Sequence, residues 1–96
     1  MRLKRIANSC RLPGKQIRSL EDFYDVISLK LSFPQHFGRN LDALWDVLTT
    51  EVKGPVEIIW EESAHSKRAM GPLYDRVSAL LTDVEKERDD FRVIFR

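Results

Sequence analysis

The chain has one cysteine, Cys10, so no internal disulfide can staple it. Its two histidines, His36 and His65, share no metal-ligand spacing with each other or with Cys10, which excludes a structural zinc site. A lone thiol fits a reducing compartment, and a cytoplasmic location is expected. Nothing near Cys10 except Arg11 would activate the thiol, so it reads as a small apolar strand or loop residue. No apolar run approaches the roughly 20 residues needed to cross a bilayer, so no membrane association is expected. The segment from Met1 to Asn8 is basic but lacks the apolar stretch of a secretory signal. A glycine-rich phosphate loop, a Ser/His/Asp signature and a Cys/His cluster are all missing. An enzyme is therefore not expected, and no cofactor is implied.

What is there suits one soluble domain. With 96 residues, 43% hydrophobic and 32% charged, the chain can build a real core without disulfides or metal. A short strand is expected between Leu3 and Leu12, ended by Pro13-Gly14. Ser19 caps a helix whose buried stripe is Leu20, Phe23, Ile27 and Leu31, with Asp22 giving a weak capping box. Asn40 caps a second helix with Leu41, Leu44, Trp45, Leu48 and Val52 on its apolar side. Gly54-Pro55 then starts the strand Val56-Glu57-Ile58-Ile59-Trp60. A short helix is expected from Ala64 to Met70. Pro72 opens a further helix with Leu73, Val77, Leu80, Leu81 and Val84 inward. Phe91–Phe95 closes the chain as a strand. The order strand, helix, helix, strand, helix, strand argues for an α/β fold, a small three-stranded parallel sheet packed with about four helices.

The net charge of +1 conceals a division. Arg2, Lys4, Arg5, Arg11, Lys15 and Arg18 meet no acid in residues 1–19, while Glu21, Asp22, Asp25, Asp42, Asp46 and Glu51 outnumber Lys30 and Arg39 in residues 20–51. Within the acidic block, Asp42 and Asp46 stand at i, i+4 and project from one helix face. That spacing of like charges costs roughly 0.2–0.5 kcal/mol. Asp42 has an ordinary explanation: it falls in the first helical turn, where the macrodipole favours an anion, and Arg39 stands three residues before it as a prospective partner. Asp46 has neither, since its i+3 and i+4 neighbours are Thr49 and Thr50. A face that accepts this cost presents negative charge to something.

Other residues carry weaker signals. Trp45, between the aspartates, suits an interface anchor and equally a core residue. His36 and Phe37 lie in the loop before the second helix, His36 expected at the surface and Phe37 toward the core. Trp60 is expected in the core. Asp83 and Glu87 form a second acidic i, i+4 pair, diluted by Lys86 and Arg88 into an ordinary solvated face. The basic first 19 residues could touch nucleic acid, but they lack aromatic interleaving and any known motif, so direct nucleic-acid binding is not expected.

The segment Phe37-Gly38-Arg39-Asn40-Leu41-Asp42-Ala43-Leu44-Trp45-Asp46-Val47-Leu48-Thr49 closely resembles the signature of the barstar-like family, intracellular inhibitors of barnase-type ribonucleases. The likeness extends upstream through Gly14 to Ser19 and Pro34, and downstream through Pro55, Trp60, Ser66-Lys67 and Val93-Ile94. It spans about Ser9 to Arg96, leaving residues 1–8 as an N-terminal extension of a single domain.

The resemblance implies a three-stranded parallel sheet with four helices. It also implies an inhibitor, a bacterial antitoxin or immunity protein, that blocks a ribonuclease with carboxylates in the place of RNA phosphate. The partner would be a barnase-like ribonuclease or another basic protein, and the free inhibitor a monomer. By this likeness Asp46 is the main acidic contact and Asp42 its companion, with Trp45, Gly38, Phe37 and Asn40 around them. His36 replaces a contacting tyrosine, and Asp83 matches an outlying contact glutamate. Arg39 replaces an acid, and Glu51 a tryptophan. The altered neighbours also suit a second reading, in which the same fold serves as a binding module for a different basic partner.

Overall fold

The structure, a computed structural model, describes residues 8–96. The strands are β1 (Asn8–Pro13), β2 (Val56–Glu61) and β3 (Phe91–Phe95). The helices are α1 (Leu20–Lys30), α2 (Leu41–Asp46), α3 (Ser63–Met70) and α4 (Pro72–Glu87). A 3-10 turn, Gly14–Gln16, follows β1, and a π-helical stretch, Val47–Glu51, continues α2. The sheet order is β1-β2-β3 with both pairings parallel, Asn8 opposite Val56 and Val56 opposite Phe91. The expected α/β architecture is present.

Parallel neighbours need crossovers, and the helices supply them: α1 and α2 between β1 and β2, α3 and α4 between β2 and β3. The central strand is covered on both faces, which is why Val56, Ile58, Ile59 and Trp60 are all buried instead of alternating. Trp60 stacks on Phe23 with ring centroids 5.3 Å apart and meets Tyr74 edge-on at 5.1 Å. Its indole N–H donates to Ser66 Oγ (3.0 Å), and that hydroxyl donates to the Gly14 carbonyl (2.9 Å). The buried serine is thus satisfied at both ends. Gly14 must lack a side chain, because a Cβ there would collide with the carbonyls of Glu61 and Glu62.

Three expectations are corrected. Asn8 belongs to β1, so it is no part of an extension; residues 1–7 lie outside the described residues. On α4 the buried row is Tyr74, Val77, Leu81 and Val84, and Leu73 is 40% exposed. Tyr74 takes the place against Trp60, which turns its neighbour Leu73 about 100° off the buried face. The second helix does not run regularly to Val52: α2 ends at Asp46 and the chain widens into the π-helical stretch.

At the exposed edge of the sheet, Glu85 reaches from α4 and accepts the Val93 N–H (3.1 Å), so this strand donor is withheld from other chains. Cys10 is fully buried in β1, and burial pushes its thiol up to about 11 from an ordinary 9.0. Between those values the unfolded chain binds fewer protons than the folded one, so stability falls as pH rises from 9 to 11, by on the order of 2–3 kcal/mol. Urea titrations at pH 8 and pH 10.5 should show this loss in the parent chain and a smaller one in Cys10→Ala. Equal losses in the two proteins would remove the thiol as the cause.

Candidate functional site: an acidic helix and its supports

Asn40 starts α2. Its backbone is extended (φ −146°), and its side-chain oxygen accepts the Ala43 N–H at 2.8 Å, satisfying a donor that the first turn leaves open. Leu44 is fully buried and pulls one side of the helix onto the core, with Leu41 and Trp45 packing half-buried beside it. Asp42 and Asp46 face outward and are exposed. Neither carboxylate takes a hydrogen bond or an ion pair from any described residue.

Arg39 does not serve Asp42, contrary to the expectation from spacing. Its guanidinium turns to α1, where it donates to Glu21 Oε1 (2.6 Å) and Asp25 Oδ1 (2.8 Å) and lies 5.7 Å from the centre of the Tyr24 ring. The hydrogen bond to Glu21, then that to Asp25, holds its pKa above the ordinary arginine value. Arg39 sits in the left-handed region (φ 54°), a conformation costing a non-glycine residue roughly 1–2 kcal/mol, directly before the helix cap. Its positive charge is matched by α1 acids, so it does not dilute the two aspartates. Arg39→Ala should cost the folded state little, since the pairs are solvent-exposed. It should loosen the loop before α2, seen as faster amide exchange of residues 35–40 with Tm nearly unchanged. A Tm fall of 10 °C or more would refute the local role.

The π-helical stretch follows Asp46 directly. Val47 and Leu48 are both buried, a pair of adjacent inward residues that an ordinary helix would splay by 100°. Val52 N–H bonds to Val47 C=O (3.0 Å), five residues back, and the Thr49 and Thr50 hydroxyls donate to the carbonyls of Trp45 (2.7 Å) and Asp46 (2.5 Å). The end of this stretch is held from afar. One Arg88 nitrogen donates to the carbonyls of Leu48 (2.7 Å) and Val52 (2.8 Å), while the other two fork onto Asp90 at 2.8 and 2.9 Å. Hydrogen bonding to Arg88 holds the Asp90 carboxyl below its ordinary range. Sequence reading missed Arg88 as a support: its partners lie 36 and 40 residues away, and no local pattern announces them.

The remaining expected residues fall around this helix unevenly. Phe37 is half-buried, edge-on to Phe33 (4.9 Å) and Tyr24 (5.6 Å), and the loop keeps its shape through them. Gly38 is exposed, and a Cβ there would stand 3.2 Å from that of Ala43 in the first turn of α2. His36 is exposed with Nε2 3.8 Å from a Glu51 carboxylate oxygen, so the loop and the far end of the π-helical stretch meet. Trp45 borders the core between the aspartates. Asp83 stands apart: it is exposed on α4 and lines a shallow depression with Tyr74, Ser78 and Phe95. Leu73, expected inward, and Arg76, which sequence reading did not single out, share a depression with Asn40 and Asp42. Among the described residues no group of three metal-ligating side chains gathers, and no helix is long and apolar enough to cross a membrane.

A family model described as Barstar (barnase inhibitor) matches residues 7–96. A Bacillus subtilis (strain 168) protein named "Putative ribonuclease inhibitor YrdF" is 33% identical over 84 residues, covering 86% of this chain and 92% of that protein.

Proposed function

This chain belongs to the barstar family, and on that premise we propose that it inhibits a basic, barnase-like ribonuclease by laying the acidic face of α2 into the active site. One observation carries the reading. Asp42 and Asp46 are exposed, one turn apart and unpartnered among the described residues, on a helix capped at its start and clamped just beyond its end. Such a pair offers two negative charges on one face, as adjacent phosphates do. Arginine, lysine and histidine side chains that bind RNA would meet the carboxylates in charge-assisted hydrogen bonds, roughly twice as strong as neutral ones. The helix is already ordered, so little freedom is lost on docking. Opposite fields speed the encounter.

Under this reading Asp46 is the dominant contact and Asp42 its companion, with Trp45, Gly38, His36, Phe37 and Asn40 forming the surrounding surface and Asp83 an outlying contact. The protein acts as a cytoplasmic antitoxin or immunity factor, a monomer when free, and catalyses nothing itself. A second reading is favoured by the His36–Glu51 contact, which puts two charged-type side chains beside the acidic face: the same surface could hold a basic partner that is not a nuclease.

The test is inhibition of a panel of purified barnase-like ribonucleases. At least one should be blocked at one-to-one stoichiometry, with an association rate that falls steeply between 20 and roughly 200 mM salt, as screening predicts. Failure against the whole panel, together with recovery of a basic non-nuclease partner from the source cell, decides for the second reading.

A further inference from the structure

Lys15, Arg18, His65 and Arg68, with the methyl of Ala69, line a depression of about 450 Å³. It lies past the carboxyl end of β1, formed by the 3-10 turn, the segment leading to α1, and α3. We infer that this depression binds the phosphates of a single-stranded RNA backbone, on a surface that shares no residue with the acidic helix.

The charges there are unmatched. Among the described residues Lys15, Arg18 and Arg68 have no carboxylate within ion-pair distance, whereas Arg11, Lys67 and Arg88 each have one and Arg39 has two. Two acids stand beside the lining, and neither pairs with these three cations. Asp22 accepts the Arg18 backbone N–H (3.0 Å), and Glu62 stands 3.8 Å from His65 Nε2. One Arg68 nitrogen lies 3.4 Å from His65 Nδ1, which keeps two basic groups in contact. Cations gathered in a concavity repel one another unless an anion joins them.

The lining also narrows the ligand. It holds no Phe, Tyr or Trp and no large apolar side chain; its one ring is the His65 imidazole. A protein partner would find no buried anchor, and a base would find only the His65 imidazole, already in contact with Arg68, to stack on. What remains is contact with phosphate, independent of base sequence. Three cations suit successive phosphates of one flexible strand.

The experiment uses the full chain and a fluorescein-labelled decamer of oligouridylate, read by anisotropy. Single strands release about 0.7 counterion per neutralised phosphate, so three contacts predict a roughly tenfold loss of affinity between 50 and 150 mM salt. The double variant Arg18→Gln/Arg68→Gln should bind about tenfold or more weakly at 50 mM and lose most of its salt dependence. Asp46→Ala should bind RNA like the parent, as should Arg2→Gln/Lys4→Gln/Arg5→Gln. Unchanged binding by the first double variant overturns the inference, as does loss only in the variant of Arg2, Lys4 and Arg5. Full displacement by millimolar pyrophosphate with no dependence on oligonucleotide length would assign the depression to free phosphate instead. If the double variant changes only self-association in sedimentation, the occupant is the acidic face of another copy, and the RNA assignment fails.

Discussion

Asp46→Ala is expected to weaken inhibition of the cognate ribonuclease more than any other single substitution on α2. A buried charge pair that loses one partner leaves the other charge desolvated and unmatched, a cost of about 3–5 kcal/mol. At about 1.4 kcal/mol per tenfold, the dissociation constant should rise roughly a hundredfold to several thousandfold. The free protein should not suffer. The Asp46 side chain is exposed, its carboxylate takes no bond from any described residue, and it repels Asp42 one turn away. Its stability should stay level or rise by a few tenths of a kcal/mol, roughly 0.2–0.5. Affinity and stability moving in opposite directions is the distinctive result, read by inhibition kinetics and urea melts on the same preparation. Asp42→Ala should lose less affinity, because Asp42 also favours the first turn of its own helix and has Arg76 bordering the same depression. Undiminished inhibition by Asp46→Ala would remove the proposed contact.

Arg88→Ala should have the largest effect on stability. Arg88 is only 14% exposed at its side chain, and it donates to two carbonyls that end the π-helical stretch while binding Asp90 through a fork. Hydrogen bonds from charged groups contribute about 1.5–3 kcal/mol each, and orphaned carbonyls cost more than lost contacts. We expect a destabilisation of roughly 2–4 kcal/mol, which in a domain of this size lowers Tm by on the order of 10–25 °C. Arg88→Lys should fall between the two, since an ammonium cannot serve the carbonyls and the Asp90 fork together. Amide exchange should accelerate first at residues 47–52. A Tm within about 2 °C of the parent would show that the π-helical stretch holds its own end.

The parts of this structure that were legible in the sequence are those specified by near neighbours. Ser19 and Asn40 cap α1 and α2 through bonds three residues long, Pro72 opens α4, and the apolar run at Val56 makes the central strand. The outward aspartates followed from helical spacing alone. What was not legible depends on distance along the chain. Arg39 finds Glu21 and Asp25, 18 and 14 residues away, not the adjacent-turn Asp42; Arg88 finds carbonyls 36 and 40 residues away; His36 finds Glu51. Each arginine, a long charged side chain, had several candidates, and packing chose. The π-helical stretch was hidden for a related reason, since Val47 and Leu48 differ from a regular helix only in being buried together. Leu73 was misplaced because Tyr74 beside it fills the core better against Trp60.

The Arg88 clamp also has a consequence for synthesis. The acidic face lies on residues 41–46, but the group that secures the end of its helix comes at residue 88, and the strand that follows pairs with β2 only once residues 91–95 exist. A ribosome that has made the aspartates has therefore not yet made the group that secures the end of their helix. Competence arrives late, as the chain past residue 88 clears the exit tunnel and folds back. A nascent or prematurely truncated chain would display the acidic pair on a loosely held helix, and under the proposed function only copies past this point would compete well for the nuclease.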